Sequence, residues 1–141
     1  MPMDFSRLQS LSESLNKESD NLNESIKAFE AKLASLRLGV NAWVAPPLEK
    51  EVDEKNGLES TTSLGYSKAT GNWCLTIAYE NDFGPESTQF SSLSQAPRDI
   101  RMKAVRQLPR LLKAIESAAA EAVKEVEEAR KIMKDIIDGA R

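Results

Sequence analysis

Residues Asn72–Glu80 read NWCLTIAYE, and their alternation decides what kind of fold this chain can build. Trp73, Leu75, Ile77 and Tyr79 fall on one side of an extended chain, and Cys74, Thr76, Ala78 and Glu80 on the other. Side chains that alternate with a period of two belong to a strand with one face turned to a core. The residues are also rich in aromatic and β-branched types, which suit a pleated surface.

Working back toward the N-terminus, Ala69, Thr70 and Gly71 separate this strand from STTSLGYSK, Ser60–Lys68, a second strand-like run. Three residues with a glycine fit a hairpin. Farther back, VNAWV alternates until Pro46 and Pro47 stop it, because proline gives no donor to a ladder. EKEVDEKNG, Glu49–Gly57, is expected as a charged loop. On the other side, TQFSSL, Thr88–Leu93, offers a short fourth strand. Residues 40–93 are therefore expected to form a three- to four-stranded antiparallel meander with one buried face.

Both flanks change to a helical period. In residues 4–38, Leu8, Leu15, Leu22, Phe29 and Leu36 occupy every d position of a heptad, and Phe5, Ser12, Ser19, Ile26 and Leu33 the a positions. Five heptads at 1.5 Å per residue predict a helix of about 50 Å, with Gly39 as its C-terminal cap. In residues 97–137 the d series is Leu108, Ile115, Ala122, Ala129 and Ile136, and the a series Val105, Leu112, Ala119, Val126 and Met133. Pro97 suits a helix start, and Pro109 predicts a kink. The expected fold is α+β and a single domain over 1–141: long helix, meander, long kinked helix. The two helices are expected to pair antiparallel as a coiled coil, with Ser19 and Leu22 facing Ala119 and Ala122.

Composition removes several kinds of chemistry. The 141 residues include no histidine and one cysteine, which excludes imidazole bases, imidazole metal ligands and an internal disulfide. The six glycines are too scattered for a phosphate loop. Cys74 is expected as a small side chain on the second face of the sheet. Glu49, Glu51, Asp53 and Glu54 lack the spacing of a calcium loop, and Glu80, Asp82 and Glu86 are expected in a solvated turn. No catalytic residue, metal or cofactor is expected. No apolar run reaches the roughly 20 residues that cross a bilayer, and no secretory signal is visible, so cytoplasmic residence is expected.

Charge is distributed unevenly. Residues 39–96 carry eight acids and three bases, whereas 97–113 carry six bases and one acid. Arg98, Arg101, Arg106, Arg110 and Lys113 are thus candidates for an acidic partner or an anion, the alternative being a solvated helix whose stems cover apolar surface. A pocket between sheet and kinked helix, lined by Trp43, Tyr66, Trp73 and Arg106, is the second candidate site. Nucleic acid is a weaker reading, because the overall charge of −3 repels polyanions. The functional expectation is a non-enzymatic interaction or structural protein, with a homodimer formed over Leu11, Leu111, Val123 and Ile137.

Overall fold

The computed structural model describes residues 4–81 and 88–140. The chain is α+β, with a long helix at each end of an antiparallel sheet. Helix α1 spans Ser6–Ser35, and Asp4 accepts the Ser6 N–H at its start. Strands β1 (Ala42–Trp43), β2 (Glu49–Val52), β3 (Glu59–Ser67), β4 (Cys74–Asn81) and β5 (Gln89–Ser92) follow. A 3-10 turn, Leu93–Gln95, leads to α2 (Arg98–Arg106) and α3 (Leu108–Gly139). The carboxylate turn expected around Asp82 and Glu86 lies outside the described residues.

The sheet order is β1-β3-β4-β5, and β2 pairs the same edge of β3 farther along. Every pairing is antiparallel. EKEV is a strand, not the expected loop. Its four residues pair with Glu59–Thr62, and Lys50 reaches Glu59 at 3.3 Å. Charged residues are normal on such an edge, since they discourage pairing with another chain. The β3–β4 ladder closes at Ser67–Cys74, so the hairpin loop is 68–73, longer than expected. Gly71 takes its positive φ of 109° there.

The inner face of the sheet carries Leu64, Tyr66, Leu75 and Ile77, all buried. Ile26 and Leu33 of α1, Ile100 and Ala104 of α2, and Leu111 and Ile115 of α3 close over it. Trp73 and Tyr79 pack against the same core. The outer face is not simply wet. Trp43 lies on Gly65, and its ring meets Phe90 at 6.3 Å between centroids. Thr76 and Ala78, their ladder neighbours on β4, are buried as well.

Three helix expectations need correction. The C-cap of α1 is Leu36, and the left-handed residue just past it is Arg37, at φ 52°, with Gly39 left-handed two residues later at φ 62° instead of capping the helix. The interruption before Pro109 is a break at Gln107, not a kink within one helix. Pro109 has no N–H for the Val105 carbonyl, and its ring crowds that carbonyl, so the ladder stops and restarts. The chain turns with Gln107 N–H on the Ala104 carbonyl at 2.9 Å.

The third correction concerns helix pairing. The antiparallel seam within the chain does not form. Ser19 meets Arg101, at the start of α2, while Ala119 and Ala122 stand beside Arg37, Leu38 and Val40, just past the end of α1. The two helical segments therefore cross the sheet in the same sense. Phe5, Leu8 and Leu15 at one end, and Val126, Met133 and Ile136 at the other, stay exposed.

Candidate binding surfaces

The basic stretch Arg98–Lys113 divides into three fates. Arg98 and Lys113 are exposed. Arg101 is buried, 9% exposed, and serves the fold. Its Nη1 donates to Asn23 Oδ1 at 2.6 Å, and its Nη2 donates to Ser19 Oγ at 2.8 Å, while Nε is buried without a partner. A buried guanidinium held by neutral oxygens ties α2 to α1 and is unavailable to a partner.

Lys103, Arg106 and Arg110 form the third group. They border a hollow of about 280 Å³ with Gln107, Pro46, Pro47 and Leu48. The break at Gln107 turns Arg106 and Arg110 to the same hollow, and the two prolines supply its apolar wall. Lys103 is engaged by the Glu49 carboxylate, and that hydrogen bond holds its pKa above the usual lysine range. The aromatic pocket expected from the sequence is not assembled. Tyr66 and Trp73 stack on each other at 5.5 Å on the core side. Trp43 lies on the opposite face, and Arg106 faces the prolines.

Neither the cysteine nor the carboxylates gather into a centre. Cys74 is buried, its Sγ 3.3 Å from Thr70 Oγ1. No cluster of three or more His, Cys, Asp or Glu arranged to hold a metal occurs among the described residues. Glu30 of α1 is brought to the sheet in a defined role. Its Oε2 accepts the Leu75 N–H at 3.3 Å, and burial raises its pKa against the opposing effect of that bond.

The largest apolar surfaces are on the helices. The stripe of α1 that buries Leu22, Ile26, Phe29 and Leu33 against the core continues through Leu8, Leu11 and Leu15. Residues 4–18 are exposed throughout. The stripe of α3 that buries Leu111 and Ile115 continues through Val126, Met133 and Ile136. From Ala120 to Ala140 only Ala122 is partly covered. Of the four residues expected to form a dimer surface, Leu11, Val123 and Ile137 are exposed, but Leu111 is fully buried under the sheet. Because the helices cross the sheet in the same sense, the two extensions leave from opposite ends.

No protein-family model, curated protein or solved structure matches the chain. No helix among the described residues is long and apolar enough to cross a membrane.

Proposed function

We propose that this is a non-enzymatic interaction protein of the cytoplasm that associates through its helical extensions, in the first place with a second copy of itself. The observation that carries this reading is the exposed continuation of both apolar stripes. Phe5 at the N-cap of α1 and Leu8, Leu11 and Leu15 within it, with Val123, Val126, Ile132, Met133, Ile136 and Ile137 on α3, are each roughly half exposed. Together they present on the order of 1,000 Å² of apolar surface, the scale of a specific protein interface. Helical stability in proteins comes mostly from packing of the apolar face, so extensions that pack on nothing within the chain gain stability from a partner.

Sedimentation equilibrium from about 1 to 100 µM tests the reading against the usual range of such interfaces. A reversible dimer or larger assembly supports it, and a monomer throughout overturns it.

A second reading rests on the hollow beside Pro46 and Pro47. Arg106 and Arg110 sit four residues apart with no ion pair to either among the described residues, and like charges at that spacing repel. A small phosphate- or carboxylate-bearing ligand would relieve that repulsion and accept their donors. Thermal shift with pyrophosphate and citrate tests it. A saturable rise in melting temperature that Arg106→Gln and Arg110→Gln abolish supports the site, and an equal response in the double variant overturns it. A nucleic-acid role has less support, since Arg101 is turned inward.

A further inference from the structure

We infer that the partner of the α3 extension is the α3 extension of a second copy, laid antiparallel across a two-fold axis near Glu127 and Glu128. The inference rests on the self-association proposed above, and it specifies which surface, which orientation and which register.

Shape provides the first argument. The seam of α3 is small at its start and large at its end: Ala119, Ala122, Val126, Ala129, Met133 and Ile136. In an antiparallel coiled coil the a positions of one helix meet the d positions of the other. With the axis between Glu127 and Glu128, Ile136 of one copy meets Ala119 of the other, Met133 meets Ala122, and Val126 meets Ala129. Each large side chain therefore finds a small one in every layer. A hollow of about 340 Å³, lined by Ala119, Ala122, Val123 and Val126 with Leu38 and Val40 opposite, is already open at the receiving end. Ile136 and Met133 of the second copy arrive there.

Gross charge provides the second argument. Glu121, Glu125, Glu127 and Glu128 outweigh Lys124 in the first half of the extension, and Arg130, Lys131 and Lys134 outweigh Asp135 and Asp138 in the next stretch. Antiparallel pairing lays the first stretch of one copy, net −3 from four glutamates and Lys124, along the second stretch of the other, net +1 from three bases and two aspartates. Arg37, exposed at the rim of the hollow, then stands near the C-terminal end of the incoming helix, where the helix dipole favours a cation.

Area provides the third. Val123, Val126, Ile132, Met133, Ile136 and Ile137 are each more than half exposed. They offer on the order of 600 Å² per copy before the stems of flanking lysines and arginines are counted, near the lower end of a standard interface. An isologous contact of this kind uses one patch twice and closes at two copies.

The test is directional cross-linking in a Cys74→Ser background. Chains carrying Ala122→Cys and chains carrying Met133→Cys are oxidised separately and as an equal mixture. The proposal expects the mixture to give disulfide-linked dimers much faster than either chain alone. Cross-linking as fast within the separate samples overturns the antiparallel register. Val126→Glu, far from the core, is expected to weaken dimerisation by at least a hundredfold while the circular dichroism of the sheet and helices is kept. If Val126→Glu and the mixture leave a wild-type dimer unaffected and unlinked, the α3 seam is wrong although self-association stands. If the wild type itself sediments as a monomer, both fall.

Discussion

Arg101 and Asn23 are joined by a 2.6 Å hydrogen bond across 78 residues of chain, and that contact fixes how the two helical segments lie on the sheet. It places the start of α2 against the middle of α1, and with Ala119 and Ala122 beside Leu38 and Val40 at the far end, both run the same way and neither covers the other's apolar seam along its length. The exposed extensions follow from these two contacts. Replacing Arg101 with Ala removes the bonds to Asn23 and Ser19 and leaves their oxygens without a donor. A loss of about 2 kcal/mol is expected, within the range for hydrogen bonds to charged groups. Urea unfolding of the variant measures it, and an unchanged midpoint would show that Arg101 does not hold the helices.

Gly65 is the floor under Trp43. A Cβ built there would lie 2.3 Å from the indole Cε3. Gly65→Ala is expected to cost about 1–3 kcal/mol by overpacking. Because the clash is with one side chain, Trp43→Ala should recover part of the loss, and a double-mutant cycle should show coupling between the two sites. Strict additivity would contradict the packing of Trp43 on this face.

Glu30 gives stability a pH dependence of known sign. Burial raises its folded pKa above the unfolded value. Its proton is therefore held more tightly in the folded state, and the stability associated with that proton is present below the unfolded pKa and lost as pH rises through the folded one. Glu30→Gln keeps an oxygen for the Leu75 N–H and removes the charge. The variant is expected to melt higher than wild type at pH 7, with the gap closing toward pH 4. A gap that widens on acidification would reverse the assignment.

Arg37 sits in the left-handed region after α1 with a side chain that disfavours it. Arg37→Gly is expected to stabilise the monomer by up to about 1 kcal/mol, since glycine adopts this conformation without steric cost. Thermal melts at low micromolar concentration, where association is least, check the sign.

The helix–sheet–helix order was legible because the apolar period changes from 3.6 to two and back, and periodicity reports which side of an element is buried. It does not report what does the burying. Leu8 and Leu22 occupy equivalent heptad positions, yet one is 58% exposed and the other packs against the core. The heptads of both helices fitted an internal coiled coil equally well, and only the tertiary contacts separate the two cases.

Some missed features did leave a signal. Arg101 stands one heptad before Leu108, at a d position, so its burial was written in the same register as the core leucines. Gly65 inside a strand pattern marked a close approach, which Trp43 fills. EKEV carried no such mark, because an edge strand with charged side chains has the composition of a loop. The hollow of Lys103, Arg106 and Arg110 depends on where the Pro46–Leu48 segment crosses the α2–α3 elbow, which no local pattern in the chain specifies.

The central claim is that the helical extensions are covered when the protein associates. Amide hydrogen exchange at two protein concentrations, well below and well above the association midpoint, tests it most directly. Protection is predicted to rise with concentration in Val123–Ile137, while β3 and β4 exchange at the same rate in both samples. Exchange of the α3 extension that does not respond to concentration would contradict the account.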